Sequence, residues 1–308
     1  MAFDFYFAGG MQSPKSDALK LKLNVNELRS YMTERKEIEK LIQLKKEGRW
    51  SGKLLVDSGA FTIHRKGGTI DMDQYCEWLN ERKDYIDAAI QLDAIPGVWG
   101  TPRTKQELLQ APIDTWNNYL YMVERLVKPE MLLPVFHMGE NFKYLTQICN
   151  HKINGKLIPY ICISGNKELT NSSREKWYEQ CFTIIKSSQN PNVKVHCLGS
   201  ATFSNMEKFP FTSSDATSWI MTCANGGIIT PYGMIIVSER QLHSKENIYN
   251  LSQECQDKIK QMCDNYGLNY EDLATSYETR LCFNVMYQYE QSQCTTFKPR
   301  KFMKGGLI

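Results

Sequence analysis

Short apolar runs alternate with longer amphipathic stretches along this chain. Most of these runs scarcely alternate between apolar and polar residues, which is typical of strands buried on both faces. We count eight of them, at 3–9, 53–57, 88–93, 131–136, 156–163, 193–199, 209–215 and 226–237. The spacing of apolar residues between the runs predicts helices over 15–48, 71–86, 104–127, 140–151, 172–188 and 216–224. The gap at 200–208 has room for no more than a turn of helix.

This alternation predicts an α/β fold with a parallel sheet, because parallel neighbours need crossover connections. Eight strands favour a (β/α)8 TIM-type barrel with appended C-terminal helices. An open, doubly wound sheet is the alternative, but no G-x-G-x-x-G follows the first strand. We expect residues 1–240 to form the barrel and catalytic domain. Residues 241–308 are expected to form a helical extension packed on the barrel, ending in the basic tail FKPRKFMKGG.

Composition narrows the class of protein. The 308 residues are 42% hydrophobic and 23% charged, as in an ordinary globular protein. No run approaches the ~18 apolar residues that span a membrane, and the first residues do not resemble a signal peptide, so no membrane partner is expected. Ten cysteines without a C-x-x-C pair favour reduced thiols and a cytoplasmic location, which is the host cytoplasm if a phage encodes the chain. A net charge of +3 is compatible with nucleic-acid binding without requiring it.

Three of the predicted strands end on an aspartate: Asp57, Asp93 and Asp215. In a barrel the carboxyl ends of the strands form the active-site face, so these carboxylates would meet at one mouth. The competing interpretation is that each aspartate caps a helix or bonds turn amides. Asp215 in particular could begin the helix predicted over 216–224. Two facing carboxylates are what chemistry at a sugar C1′ requires, one attacking the carbon and the other moving protons.

Small or polar residues follow several of the predicted strands. These are Ser58-Gly59-Ala60, His137-Met138-Gly139, Ser164-Gly165 and Gly199-Ser200. Short side chains let a flat substrate approach the main chain closely and hydrogen-bond to it. The pattern therefore predicts a site for a flat substrate, lined mainly by backbone and short side chains.

Two motifs resemble those of a known enzyme family. The segment DSGAF at 57–61 resembles the DSGGF/Y motif of tRNA-guanine transglycosylases, and FTSSDATSW at 211–219 resembles the segment around their nucleophilic aspartate. FYFAG, LDAIPG, PVFHMGE, ISGN and LGSAT stand in the same order as that family's strand ends. The S-D-x-T-S-W form is most similar to the phage and bacterial DNA 7-deazaguanine transglycosylases. The resemblance covers roughly residues 1–240.

The resemblance implies a (β/α)8 barrel that exchanges guanine in nucleic acid for a 7-deazaguanine, such as 7-cyano-7-deazaguanine. Asp215 would be the nucleophile that holds a covalent glycosyl intermediate, and Asp57 would be the acid/base. Phe61 would stack on the base, and Asp93 would read its Watson–Crick edge. The remaining predicted base-binding residues are Ser58, Gly59, His137, Met138, Gly139, Ser164 and Gly165. The implied partners are DNA with a flipped or single-stranded nucleotide and the free base, and an accessory protein is left open.

Several positions depart from the family pattern. Ala60 replaces the second glycine, Thr62 stands where glutamine is common, and His137-Met138 stands where glutamine is usual, which would alter the accepted 7-substituent. The C-x-C-x-x-C zinc motif is missing, and the relevant side chains lack ligand spacing: Cys223, Cys255, Cys263, Cys282 and His243. We therefore predict no metal and no cofactor, and we favour DNA over tRNA. The other histidines, His64, His151 and His196, are interpreted as structural or surface residues.

Three alternatives to exchange on DNA stay open at this point. The first is the same exchange on tRNA. The second is a non-catalytic nucleic-acid-binding barrel, although such a protein gains nothing from two carboxylates facing a phosphate backbone. The third is an unrelated barrel glycosidase. The only glutamate close to a predicted strand end is Glu140, whereas sugar sites of that kind often use glutamates and tryptophan platforms.

Overall fold

A computed structural model of the protein describes residues 3–10, 12–166, 168–199 and 202–299. These residues contain thirteen strands: β1 (Asp4–Ala8), β2 (Asn26–Ser30), β3 (Leu54–Asp57), β4 (Ala88–Ile90), β5 (Leu132–Leu133), β6 (Val135–His137), β7 (Lys152–Ile153), β8 (Lys156–Leu157), β9 (Tyr160–Ser164), β10 (Lys194–Leu198), β11 (Ser213–Ala216), β12 (Gly227–Thr230) and β13 (Gly233–Ile236). They also contain twelve α-helices: α1 (Pro14–Lys22), α2 (Arg35–Lys46), α3 (Ala60–Lys66), α4 (Met72–Arg82), α5 (Lys105–Val123), α6 (Lys143–Asn150), α7 (Asn171–Ser187), α8 (Phe203–Lys208), α9 (Ser218–Ala224), α10 (Gln253–Tyr266), α11 (Asp272–Thr275) and α12 (Tyr277–Cys294).

Nine of the strands form one sheet, in the order β5-β4-β3-β2-β1-β11-β10-β9-β6. The pairs with a defined register are all parallel. The two edge strands, β5 and β6, are consecutive in the chain with only Pro134 between them. The two ends of the sheet therefore meet, and the sheet is a nearly closed parallel barrel. The predicted α/β class with a barrel-type parallel sheet is confirmed.

The inside of the barrel holds a cluster of apolar side chains from eight of the nine strands of the sheet, all but β11. They are Tyr6, Ala8, Leu28, Leu55, Ala88, Ile90, Leu133, Val135 and Cys162, with Tyr160 and Leu198 packed against them. Each of the nine is at least nine-tenths buried. Because side chains alternate across a strand, a residue two positions after one of these faces the same interior, one layer closer to the carboxyl ends of the strands.

Two strand predictions were wrong, in opposite directions. Residues 26–30, predicted as helix, form β2, whose outward-facing Glu27 and Arg29 are buried as an ion pair at 2.5 Å. Because these two residues of the strand are charged, the strand does not show as an apolar run in the sequence. The apolar run at 226–237, predicted as a barrel strand, is an antiparallel hairpin of β12 and β13 in a separate sheet. Its turn ends at Gly233, whose φ of +101° suits a tight reversal.

The predicted helices are present, except that the one predicted over 15–48 is interrupted by strand β2. The short helices α3 and α8 were not predicted. Helix α8 occupies the gap at 200–208 and is longer than the single turn expected. Within the described residues, no helix is long and apolar enough to cross a membrane.

The chain divides into two compact units. The barrel unit comprises the described residues of 1–8, 26–215 and 295–308. The helical unit comprises those of 9–25 and 216–294, and its core gathers apolar side chains of the β12–β13 hairpin and helices α10, α11 and α12. The boundary predicted at residue 240 falls inside the helical unit, and the assignment of residues 1–240 and 241–308 to two domains stays a prediction. The basic tail lies largely outside the described residues.

Candidate active site

The strand β3 delivers Asp57 into a turn that requires glycine. Gly59 has a φ of +90°, and a Cβ atom there would lie 2.6 Å from Cβ of Met32 and 2.8 Å from Oγ of Ser30. The backbone N–H of Gly59 donates to Oδ2 of Asp57 at 3.1 Å. Ser58 is fully buried beside this turn. Glycine at this position therefore allows the chain to reverse close to strand β2 and to hold the carboxylate by its own turn.

The register of the sheet places three predicted site residues in the interior layer nearest the carboxyl ends of the strands. Asp57 follows Leu55, His137 follows Val135 and Ser164 follows Cys162, each by two residues along its strand, and all three preceding residues belong to the interior cluster. Ser213 pairs with His196, which pairs with Cys162, so Asp215 points the same way by the same rule. These side chains face one mouth.

The electrostatics of Asp57 show that the carboxylates are close to one another. Burial raises the pKa of Asp57 to about 7, and the negative charges of Asp93 and Asp215 add to the rise. The hydrogen bond from Gly59 opposes it. Burial and the same three carboxylates also raise the pKa of the Cys162 thiol, which lies beneath them in the barrel interior. The aspartates predicted from three separate strand ends therefore converge, and the raised pKa lets Asp57 hold a proton near neutral pH.

Asp215 is buried and held by one of its two oxygens. The backbone N–H of Gly199, after strand β10, donates to Oδ1 at 2.6 Å, and Nε2 of His196 lies 3.3 Å from the same oxygen. The first helical residue after it is Ser218, and the residue before that helix is Thr217, so Asp215 does not begin helix α9. The capping interpretation of Asp215 is wrong.

Behind Asp215 lies a buried polar chain. Nδ1 of His196 and Oγ of Ser213 are 2.5 Å apart, and the same hydroxyl bonds to the phenol of Tyr160. His196 is fully buried, and its place beside Asp215 was not predicted. Nothing in the sequence separates a mid-strand histidine of this kind from an ordinary core residue.

Asp93 is paired with a histidine from the next strand end. Its Oδ2 atom lies 2.9 Å from Nε2 of His137, and Nδ1 of His137 lies 2.9 Å from Oε1 of Glu140. Burial lowers the pKa of His137, but the hydrogen bonds to Asp93 and Glu140 outweigh it and raise the pKa to about 10. Glu140 was not among the predicted site residues, although its position three residues after His137 suits such a contact.

An exposed aromatic pair lies on the segments that follow β3 and β4. Phe61, on helix α3, is 56% exposed, and Trp99, in the loop after β4, is 50% exposed. Their rings meet edge to face with centroids 5.5 Å apart. The ring of His64 also meets that of Trp99 edge to face, with centroids 6.1 Å apart. Large exposed aromatic side chains are the usual platforms for bases. Phe61 was predicted from its motif, whereas Trp99 was missed because loop residues carry no periodic signal.

The other predicted base-binding residues supply mainly backbone. The N–H of Met138 donates to the carbonyl of Ser164 at 2.9 Å, so these two segments are joined at the mouth. Gly139 is exposed with a φ of +104°, and Gly165 is partly buried. Their contact with a base stays a prediction. Ser200, predicted with Gly199 at a strand end, lies outside the described residues.

The site combines two different carboxyl groups. Asp215 is buried, with one oxygen oriented by its contacts, and Asp57 exchanges its proton near neutral pH. This pairing suits covalent displacement with proton transfer. Among the residues that the structure describes, no group of three or more His, Cys, Asp or Glu side chains is placed to hold a metal ion. The predicted absence of a zinc site stays a prediction.

No family model and no curated protein matches this chain. Among solved structures, the chain is similar to one from Aquifex aeolicus VF5, described only as a "Structural study of Project ID". The sequence identity is 10%, the match covers 71% of this chain and 84% of that one, and the TM-score is 0.42. A similarity at this level carries no argument about function.

Proposed function

We propose that this protein is a pentosyltransferase that exchanges guanine in DNA for a 7-deazaguanine, through a covalent intermediate on Asp215. The observation that carries the proposal is the convergence of Asp57, Asp93 and Asp215, with the pKa of Asp57 raised to about 7 by burial and by the other two charges. Two of these aspartates stand in the motifs DSGAF and SSDATSW, which resemble those of guanine transglycosylases. Chemistry and motif thus point to the same residues.

The first half-reaction uses Asp215 as nucleophile. The contacts with Gly199 and His196 both fall on Oδ1, so Oδ2 is the oxygen that attacks C1′ of the extruded nucleotide. The C1′–N9 bond breaks as the C1′–O bond forms, and Asp57 delivers its proton to the departing guanine. A carboxyl group with a pKa of about 7 carries this proton at physiological pH.

The second half-reaction reverses these roles. Asp57, now a carboxylate, takes the N9 proton of the incoming 7-deazaguanine. N9 attacks C1′, and the bond from C1′ to Asp215 breaks. One group serves as acid and then as base because its pKa lies close to the working pH.

The base would lie between the aromatic pair and Asp93. Phe61 and Trp99 supply exposed ring surface, and the carboxylate of Asp93 accepts the N–H donors of a guanine-type edge. Exposed Arg65 and Lys66 end the helix that carries Phe61, where they can meet phosphates. Because the reacting C1′ must reach a buried Asp215, the nucleotide has to be flipped out or single-stranded.

The fold supports this assignment at the level of strand count. If β5 and β6 are one strand interrupted at Pro134, the sheet has eight parallel strands in chain order around the barrel. That is the (β/α)8 arrangement that the resemblance implies, with the carboxylates at the carboxyl ends of the strands.

The second candidate is the same exchange on tRNA. The carboxylate site serves either polymer, and DNA is preferred for the S-D-x-T-S-W form of the nucleophile segment and the missing C-x-C-x-x-C motif. A non-catalytic binder leaves the raised pKa of Asp57 without a use.

The test is base exchange with radiolabelled guanine on two polymers, guanine-containing DNA and unmodified tRNA. We expect label to enter DNA, and unlabelled 7-cyano-7-deazaguanine to chase it out. Label that enters tRNA and not DNA would establish the second candidate. Asp57→Asn should abolish exchange, and Asp264→Asn, on the exposed face of helix α10, is the matched control. Absence of label in both polymers, even after a host-cell extract is added to supply any accessory protein, would refute the proposed function.

A further inference from the structure

The histidine at the mouth of the barrel has both ring nitrogens engaged by carboxylates. Nε2 of His137 faces Asp93 at 2.9 Å, and Nδ1 faces Glu140 at 2.9 Å. The backbone N–H of His137 also donates to Glu140, at 3.2 Å. Carboxylates only accept hydrogen bonds, so both ring nitrogens must donate, and the ring is an imidazolium. Its two hydrogen bonds are charge-assisted, which makes them short and strong.

This geometry conflicts with the role that the sequence predicts for His137. The resemblance makes it a base-binding residue, yet a ring with both donors occupied has none left for a base. Its side chain is 27% exposed, and those of Asp93 and Glu140 are 13% and 12% exposed, so the group borders the mouth without being free. To contact a base through nitrogen, His137 would have to release a carboxylate and leave that charge poorly paired.

We infer that His137 is a positioning residue, which holds Asp93 by Oδ2 and leaves Oδ1 turned to the N–H edge of the bound base. Glu140 completes the device by orienting the ring and keeping it charged. The contact with the base rests on the proposed function, whereas the Asp93–His137–Glu140 chain does not. The inference assigns Glu140 a part in specificity, because without it the histidine loses the charge that fixes Asp93.

The charges around His137 determine how this device responds to pH. Asp93 faces it from the segment after β4, and Glu140 faces it from its own segment. Strand β9 meets it through Ser164, which does not titrate. With both carboxylates present the pKa of His137 is raised to about 10, so the ring stays charged across the physiological range. Removing the Glu140 charge lowers that pKa and brings the loss of the imidazolium into a measurable range.

The first test needs no substrate. In protein labelled with ¹⁵N-histidine, the ring nitrogens of His137 should both carry protons at pH 8, and Glu140→Gln should move their titration to lower pH. The resonances are assigned by their loss in His137→Gln, with His243→Gln, an exposed histidine, as the matched control. A neutral His137 ring at pH 8 in the wild-type protein would overturn the inference, whatever the enzyme turns out to do.

The second test measures binding of free 7-cyano-7-deazaguanine by calorimetry at pH 7 and pH 9. We expect Glu140→Gln to weaken binding at pH 9 by about tenfold, equivalent to about 1.4 kcal/mol, and by less at pH 7. A purely structural role would change both values equally. Wild-type binding by Glu140→Gln and His137→Gln at both pH values would overturn the positioning role. If the wild-type protein binds no base while the histidine titration is as expected, the proposed function fails and the ion chain stands.

Discussion

Nε2 of His196 lies 3.3 Å from Oδ1 of Asp215, so a fully buried imidazole borders the proposed nucleophile. The other ring nitrogen contacts Ser213, which fixes the plane of the ring. Replacing His196 by Gln should slow formation of the covalent intermediate by about 10- to 100-fold, the range expected for losing one contact to a charged group. Single-turnover kinetics measure this step.

Binding of the free base should be unchanged in that variant, because Asp93 and Phe61 are untouched. Tyr160→Phe removes only the outer member of the chain and should cost less. A His196→Gln enzyme that folds and forms the intermediate at the wild-type rate would show that the histidine has no part in orienting Asp215.

The raised pKa of Asp57 predicts opposite pH dependences for the two half-reactions. Release of guanine needs the protonated acid, so its rate should fall as the pH rises above about 7. Entry of the new base needs the carboxylate, so its rate should fall as the pH drops below about 7. Rapid-quench measurements on each half-reaction separate the two limbs. Limbs that run in the same direction would contradict the assignment of both proton transfers to Asp57.

The same pKa predicts how stability depends on pH. Asp57 binds its proton more tightly in the folded chain, where its pKa is about 7, than in the unfolded chain, where it is near 4, so its contribution to stability falls as the pH rises between these values. Above pH 7 the folded protein carries an unfavourable charge that Asp57→Asn removes. At pH 8 the variant should be more stable by about 2 kcal/mol, roughly half of the full conversion because Asp57 is only partly buried.

Urea denaturation at pH 4 and pH 8 checks this expectation. At pH 4 the two proteins should differ little, since Asp57 is protonated in the folded state. Asp264→Asn is the control for loss of an exposed carboxylate. An equal difference between wild type and Asp57→Asn at the two pH values would show that the pKa of Asp57 is not raised by folding.

The barrel and the convergence of its aspartates could be predicted because both follow from short-range rules. A strand buried on both faces shows as an apolar run, and parallel strands in a barrel bring their carboxyl ends to one face. Asp57, Asp93 and Asp215 were identified in this way. Strand β2 could not be identified, since Arg29 and Glu27 satisfy each other inside the protein and leave a polar sequence.

The site residues that were not predicted from the sequence are those whose role depends on a contact with a distant part of the chain, rather than on their position along a strand. His196 and Asp215 are 19 residues apart along the chain, and only the pairing of β10 with β11 brings them together. Trp99 lies in a loop whose path no periodicity predicts. His137 was identified, but its partners were not, and the partners decide whether its ring can meet a base.

The turn after Asp57 predicts a large steric cost at Gly59. Alanine there would combine a φ of +90° with contacts of 2.6 Å to Met32 and 2.8 Å to Ser30. We expect Gly59→Ala to lower the free energy of unfolding by about 3 kcal/mol. Gly155→Ala is the matched control, because Gly155 has a φ of +80° and its Cβ would meet nothing within 4 Å, so it should cost only about 1 kcal/mol. Chemical denaturation gives both values, and equal losses would mean that close packing around Gly59 is unimportant.

The exposed rings of Phe61 and Trp99 predict a stacking contribution to binding. Alanine at either position should weaken binding of a guanine-containing single strand by about tenfold, since one base–aromatic stack contributes about 1–3 kcal/mol. Fluorescence anisotropy with a labelled oligonucleotide measures the change. Tyr249→Ala removes a comparably exposed ring in the helical unit and should leave binding intact. Unchanged binding in Trp99→Ala would remove that residue from the proposed surface.

Covalent attachment of Asp215 to the sugar of DNA is tested most directly by trapping the intermediate. The protein is incubated with guanine-containing single-stranded DNA, denatured, and analysed by gel electrophoresis and peptide mass spectrometry. We expect an adduct on the peptide that contains Asp215, lost in Asp215→Asn, retained in Asp264→Asn and discharged by 7-cyano-7-deazaguanine. An adduct on another residue, or base exchange that persists in Asp215→Asn, would contradict this expectation.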